Sequence, residues 1–253
     1  MKLSIVTVVR NDRSGLLATH ASLVGQRFEE FQWILIDGES TDGTAELCRQ
    51  MIRDGKAEGI SEPDNGVYDA MNKSFRFATG DYLLFLNAGD VLASADVLEK
   101  LVNVIDQLRV PRLICADYIL RMENGLEIYR RWDPKKRWYT QPTSHQAMLF
   151  PRGQLFDVMH DTTLRIKGDY KVYSHILTHY GPEVHADVAV SVFAHGGLSS
   201  ARPWLAAKEH WRVDRKVRSR SIPFAMLVQV RCLASVVARA LINRFPRRQG
   251  AGK

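Results

Sequence analysis

The 253-residue chain predicts an α/β fold, a mostly parallel sheet flanked by helices, on three observations. Strand and helix patterns alternate at roughly thirty-residue spacing through the first half, the rhythm of right-handed βαβ units. The strand patterns are apolar at nearly every residue, as expected of strands covered on both faces. Each ends in a Gly-, Asn- or Asp-containing turn, and open α/β sheets bind ligands at that edge.

In order, Leu3 to Val9 (Leu-Ser-Ile-Val-Thr-Val-Val) reads as a buried strand. Ser14 can cap a helix from Gly15 to about Val24. Phe31 to Ile36 is a second strand, closed by Asp37-Gly38-Glu39-Ser40-Thr41-Asp42-Gly43, and Thr44 to Arg53 is a helix. A short strand at Glu58 to Ser61 leads into the turn Glu62-Pro63-Asp64-Asn65-Gly66, then a helix from Val67 to about Ala78. Tyr82 to Leu86 is the fourth strand, Ala95 to Leu108 a helix and Arg112 to Asp117 a strand. The rhythm then changes. Tyr118 to Tyr129, centred on Glu123-Asn124-Gly125, reads as a β-hairpin. A charged aromatic loop, Arg130 to Pro142, precedes a strand at Gln146 to Phe150, a helix near Asp169 to Tyr180 and a strand near Val188 to Ala194.

Apolar content of 45% and charged content of 25% are ordinary for a globular protein with a real core. Cys48, Cys115 and Cys232 are odd in number and in no metal spacing, the pattern of reduced thiols in the cytosol. No secretory signal is expected, because Arg10-Asn11-Asp12-Arg13 cuts the first apolar run short. The net charge of +7 is uneven: residues 201–253 carry thirteen Lys/Arg against two Asp/Glu, a local +11, so the first 200 residues sum to −4.

The stretch from Ser61 to Asp90 is the richest in chemistry. An apolar strand delivers Asn87 and Asp90 on a Gly-containing turn, which suits a divalent metal carrying a diphosphate; one protein carboxylate suffices when water and phosphate complete the shell. Asp90 could equally just open the next loop. Asp37 at a strand end can bond a base or ribose, or merely shape a turn. Asp69 and Asn72, three apart on one helix face, suit ribose or phosphate, or solvent. Asp169 behind Gly168 is either a helix cap or a general base. His145-Gln146 can line the same cleft, although a lone His is more often structural.

Four segments occur in order: Leu3 to Asn11, Asp37 to Gly43, Glu62 to Lys73 (Glu-Pro-Asp-Asn-Gly-Val-Tyr-Asp-Ala-Met-Asn-Lys) and Gly80 to Asp90. Together they resemble family 2 of the nucleotide-sugar glycosyltransferases, with the Rossmann-like GT-A fold, over residues 1 to about 200. Ser144-His145-Gln146 and Phe193 to Ser199 are similar to the small bacterial members that build exopolysaccharide or O-antigen units, colanic acid enzymes among them. The resemblance implies a nucleotide-sugar half at 1–117 and an acceptor half at 118–200. Donor contacts would come from Thr7, Val9, Asn11, Asp37, Glu62, Asp64, Asn65, Gly66, Asp69, Asn72, Lys73, Asn87 and Ala88. Asp90 would hold Mn2+ or Mg2+, although Asn87 stands where the family often has a first aspartate. Asp169 would be the base, with His145 as its rival; Gly168 replaces a common neighbouring acid. The implied reaction is inverting transfer, in which a carboxylate takes the acceptor proton and a metal neutralises the leaving diphosphate, with uridine the expected nucleotide.

Residues 201–253 read as a basic amphipathic helical extension. Trp204 and Trp211 share a helical face, Pro223 interrupts, and Arg231, Ser235 and Arg239 form a polar stripe on an otherwise apolar helix. No charge-free run reaches the ~18 residues of a membrane span. An interfacial helix on anionic lipid is expected, placing the enzyme on the inner face of the cytoplasmic membrane beside a polyprenyl-diphosphate-linked acceptor. The alternative is packing on the body or on a second copy. Specific nucleic-acid binding is not expected, since the aromatics sit on an amphipathic helix and form no stacking platform. Two other functions fit less well: a sugar-nucleotide pyrophosphorylase, which would carry a Gly-rich loop after the first strand, and a catalytically silent nucleotide-sugar-binding partner of a membrane complex.

Overall fold

The structure, a computed structural model, describes residues 2–196 and 201–244, with side chains described through 234. Gly197-Leu198-Ser199 of the last resembling segment, residues 245–253 and the side chains of Ser235 and Arg239 lie outside the described residues.

Four parallel strands form the first half of one sheet: β1 (Leu3–Val9), β2 (Gln32–Asp37), β3 (Glu58–Ser61) and β4 (Tyr82–Phe85). Their spatial order is β3-β2-β1-β4, so the connection reverses direction beside β1, where such sheets open a crevice. Register pairs Val9 with Asp37 and Asp37 with Ser61, which brings these strand ends to one edge. The sheet continues through β8 (Met148–Pro151), β6 (Ile114–Arg121), β9 (Val184–Ala194) and β5 (Val91–Leu92), with β7 (Glu127–Arg130) hairpinned onto β6. β8 runs antiparallel to both β4 and β6, so the second half is mixed.

Alternate strand residues feed two cores. Leu3, Ile5, Leu35 and Leu84 pack under α1 (Arg13–Val24), α2 (Thr44–Arg53) and α4 (Val97–Asp106). Val6, Ile34, Leu83 and Phe85 face the layer of α3 (Val67–Lys73), α5 (Arg152–Val158) and α6 (Gly168–Tyr180). This period-two division is why the strands read as unbroken apolar runs.

Several boundaries move for local reasons. Asp12, not Ser14, caps α1 by accepting from Gly15 N at 2.8 Å. The helix expected to reach Ala78 stops at Lys73 and tightens into a 3-10 turn, where Ser74 Oγ bonds back to Met71 O at 2.6 Å. Gly80 then passes so close to β1 that a Cβ there would sit 2.5 Å from Ser4 N. The strand expected from Gln146 begins at Met148, after a one-turn 3-10 segment over His145–Ala147. β6 merges the expected strand and the first hairpin arm, and Gly125 turns the hairpin at φ 79. β5 and α5 are too short for periodicity to reveal.

The C-terminal helices are α7 (Pro203–Lys216) and α8 (Ile222–Arg244). α7 packs on the α6 layer: Val213 joins its core, and Glu209, His210 and Asp214 are buried. Glu209 accepts from three consecutive backbone amides, Arg165 N at 2.8 Å and Ile166 N and Lys167 N at 2.9 Å. Tyr170 Oη donates to Asp214 at 2.8 Å. Glu209 and Asp214 are therefore internal partners, the first for the loop before α6 and the second for α6 itself. Trp211 is half-buried and Trp204 is exposed. Among the described residues no helix is long and apolar enough to cross a membrane.

His160, between α5 and α6, is buried among Tyr68, Phe75 and Phe85. Burial pushes its imidazole down to about 3, with only partial opposition from Asp169. The unfolded chain therefore takes up this proton first as pH falls below 6.5, so stability present above that value is lost on the way to 3. His160→Phe keeps the ring packing and is expected to flatten the stability slope between pH 6 and 4 by up to ~1.4 kcal/mol per pH unit. Denaturant titrations across that range check it; an unchanged slope contradicts the assignment.

Candidate active site

The cleft opens at the carboxyl ends of β1, β2 and β4. After β4 the chain leaves the sheet through Asn87-Ala88-Gly89-Asp90, and Gly89 (φ 88) makes the turn. Thr19 on α1 braces it: its hydroxyl donates to Asp90 O at 2.8 Å and accepts from Gly89 N at 3.1 Å. The one sequence signal of Thr19 is that it is a polar residue on the buried face of α1.

Asp90 is buried, and burial pushes its carboxyl up to about 6, against the opposing pull of His145 and a hydrogen bond from Gln146 Nε2 at 3.3 Å. Asn87 Oδ1 is also buried and has no hydrogen-bond partner among the described residues. A desolvated carboxylate and an orphaned carbonyl oxygen on one turn are hard oxygen donors that a small divalent cation would satisfy. Asp117, His185 and Asp187 also bring ligand atoms within 4.8 Å of one another. However, Asp117 already accepts from Tyr129 Oη and Trp132 N at 2.8 Å and contacts His185 Nε2 at 3.1 Å, which ties β6 to β7 and β9. The Asn87–Asp90 turn is the better fit.

On the opposite wall, Asp169 lies in the first turn of α6. Its carboxylate accepts from Tyr68 Oη at 3.3 Å, Gln141 Nε2 at 3.0 Å and Tyr170 N at 2.8 Å, and lies 3.6 Å from His145 Nδ1. Burial alone would raise it, but His145, Lys167 and Gln141 together hold it well below the usual carboxylate range. Asp169 is thus an ionised, oriented acceptor. Asn87 Nδ2 lies 3.3 Å from His145 Nε2 while His145 Nδ1 faces Asp169, so the imidazole bridges the Asn87 turn and the Asp169 carboxylate. Consecutive residues His145 and Gln146 therefore touch the two carboxylates, one each. Nothing in the sequence spacing of Tyr68 and Gln141 marks them as partners of Asp169.

The other expected donor residues divide. Asn11, at φ 52, accepts from Thr41 N at 2.8 Å and joins the β1 and β2 turns. Asp64 leans over Gly38, where a Cβ would come within 2.1 Å of its Oδ2. Asn65 N donates to Asp69 at 2.9 Å, Gly66 (φ 119) opens α3, and Lys73 pairs with Glu62 at 3.0 Å. The Asn65 and Lys73 contacts shape the 62–73 segment from within, whereas the Val9 and Ala88 backbones tie β1 to its neighbouring turns, accepting from Gly38 N and donating to Val8 O. Three side chains are already committed. Thr7 is fully buried and accepts from Trp33 Nε1 at 2.9 Å, so it does not open into the cleft. Asp37 is fully buried and accepts from Ser40 Oγ at 2.5 Å and Ser61 Oγ at 2.7 Å, so it shapes the edge. Asn72 exchanges two hydrogen bonds with the His160 backbone, at 2.8 and 2.9 Å, and clamps α3 to the loop before α6.

Residues 4–172 match the family model described as "Glycosyl transferase family 2". The chain belongs to glycosyl transferase family 2. This family 2 glycosyltransferase is 30% identical over 257 residues to a "PGL/p-HBAD biosynthesis glycosyltransferase" of Mycobacterium bovis, covering 95% of this chain and 94% of the relative. The structure superposes on S. aureus TarS 1-349 in complex with UDP-GlcNAc (TM-score 0.66, 14% identity), covering 92% of this chain and 72% of that one. It also superposes on the mannosyltransferase PcManGT of Pyrobaculum calidifontis in complex with GDP-Man and Mn2+ (TM-score 0.67, 17% identity), covering 96% and 79%. The fold is GT-A, as the ordered motifs imply.

Proposed function

We propose that this glycosyltransferase moves a sugar from a UDP-sugar to a hydroxyl of a lipid-linked saccharide with inversion, Asp169 acting as the base and Asp90 on the metal side. The observation that carries this reading is that His145 and Gln146 link Asp169 and Asp90 across one cleft. Asn11 and Asp64 frame the nucleoside at the β1–β2 edge, and Asn87 and Asp90 would hold a divalent cation. When bound, that cation would neutralise the diphosphate.

The acceptor hydroxyl approaches Asp169. As its oxygen bonds to the anomeric carbon, its O–H bond breaks toward the Asp169 carboxylate, and the bond to the diphosphate breaks with its electron pair leaving on phosphate oxygen. A strongly held carboxylate can serve, because the hydroxyl becomes far more acidic as its oxygen bonds to carbon. His145, set between Asn87 and Asp169, is assigned the role of orienting the Asp169 carboxylate. Mixing the protein with Mn2+ and a panel of nucleotide-sugars is expected to release UDP, faster with acceptor than without. UDP-sugar binding with no turnover, even with a lipid-linked acceptor, would instead favour the silent-partner reading.

The membrane half of the reading is supported by α8. It buries Ala225 and Val228 and exposes Ile222, Met226, Leu227 and Val230 on the opposite face, with Lys208, Arg212 and Lys216 exposed on neighbouring α7. An apolar stripe beside cations suits the headgroup layer of anionic lipid on the cytoplasmic side. Substituting Met226, Leu227 and Val230 together by Ser is expected to lower co-sedimentation with phosphatidylglycerol vesicles severalfold and to leave UDP-sugar hydrolysis unchanged. Undiminished co-sedimentation would contradict it. Truncation at residue 201 is a poorer test, since it also removes Glu209.

A further inference from the structure

A cavity of about 380 Å3 lies beyond Tyr68, between the start of α3 and the loop before α6. Val67, Tyr68, Leu164 and Ile166 make its apolar wall, and Arg165 and Arg202 supply two guanidinium groups. Its volume falls in the range of small-ligand pockets. The cavity shares one side chain with the proposed active site: Tyr68 lines it and donates to Asp169 at 3.3 Å.

The charge balance favours an anion. Arg165 Nη1 donates to Asn65 O at 2.8 Å, which fixes the guanidinium and leaves its other donors for a ligand. The Arg165 backbone is itself held by buried Glu209 at 2.8 Å, so this cation is preset by α7. Arg202 is exposed and makes no ion pair among the described residues. Asp69, the one carboxylate in the lining, already accepts from Asn65 N at 2.9 Å and lies 4.0 Å from Lys73. The 62–66 loop separates two sides. Asp64 leans on the Gly38 turn at the nucleoside edge, whereas a Cβ on Gly66 would meet Arg165 Nη1 at 3.0 Å.

We propose that this cavity is an acceptor subsite that binds an anionic group, a phosphate ester or a carboxylate, through Arg165 and Arg202. A guanidinium fork matches both anions. Bound there, an acceptor reaches past the Tyr68 ring with its hydroxyl toward Asp169. The inference rests on the proposed roles of the cleft, and its arrangement fits an acceptor delivered by α7 and α8.

The test is calorimetric titration of the full chain, saturated with UDP and Mg2+, with phenyl phosphate, benzoate and phenol. At least one anion is expected to bind about tenfold or more tighter than phenol. Arg165→Met and Arg202→Met are each expected to weaken that anion about tenfold and to leave UDP affinity unchanged. Stronger phenyl phosphate assigns a phosphate linker, and stronger benzoate an acidic acceptor. Phenol binding as tightly as both anions, competition between UDP and the anion, or full anion affinity in Arg202→Met (an exposed side chain whose loss leaves the fold intact) would each overturn the subsite. Failure of UDP to bind would count against the donor cleft instead, and the anion series would then be read on the free protein.

Discussion

Asp169→Asn is expected to lower the transfer rate by about 10²–10⁴-fold while leaving UDP-sugar affinity within a factor of two. The amide keeps the volume and can still accept from Tyr170 N and Tyr68 Oη, so the start of α6 stays in place. What it loses is the charge that takes the acceptor proton. Because Asp169 is held far below the usual carboxylate range, it stays ionised at any working pH, and the acid limb of the rate profile should not belong to it. His145→Ala is expected to lower the rate less, through loss of orientation. Steady-state kinetics with separate donor-binding titrations decide this. A near-native rate for Asp169→Asn, with His145→Ala inactive, would transfer the base role to His145.

Asp90→Asn is expected to weaken metal-dependent UDP binding by at least about a hundredfold, the scale of losing a cation clamp on a diphosphate. The same change should stabilise the free protein. With its carboxyl pushed up to about 6 by burial, Asp90 takes a proton more readily folded than unfolded, so its charge opposes folding above about 6 and not below the ordinary carboxylate range. Replacing it with a neutral amide removes that cost, about 2–3 kcal/mol at pH 7.5 and almost none near pH 4. Unfolding titrations of the metal-free proteins at the two pH values measure it. Equal stability at pH 7.5 would show that the carboxylate is not desolvated. A buried carboxylate whose charge weakens the metal-free fold suits a metal ligand, whose cation would offset that cost.

The parallel half of the sheet was legible because burial on both faces leaves no polar alternation: Leu3 to Val9 and Tyr82 to Phe85 could be little else. The turn residues were legible too, since Asn87 to Asp90 and Asp64 to Gly66 combine positive-φ glycines with carboxylates at strand and helix ends. Partnership across distance was not. Asp37 and Thr7 carry suitable groups at suitable places, but which neighbour satisfies them depends on Ser61 and Trp33, set by sheet register. Nothing in the sequence marks Glu209 and Asp214 as internal partners. Only the packing of α7 shows that they hold the loop and helix bearing Asp169, more than forty residues earlier in the chain. Gln141 and Tyr68 were invisible for the same reason: each contributes one hydrogen bond to a carboxylate it meets only in the folded chain.

The most direct test of the central claim is the anomalous diffraction signal of Mn2+ in crystals grown with UDP. The account predicts a peak about 2.1 Å from an Asp90 oxygen, beside the UDP diphosphate and across the cleft from Asp169. A peak on Asp117, His185 and Asp187 instead, or bound UDP with no cation near Asp90, would contradict it.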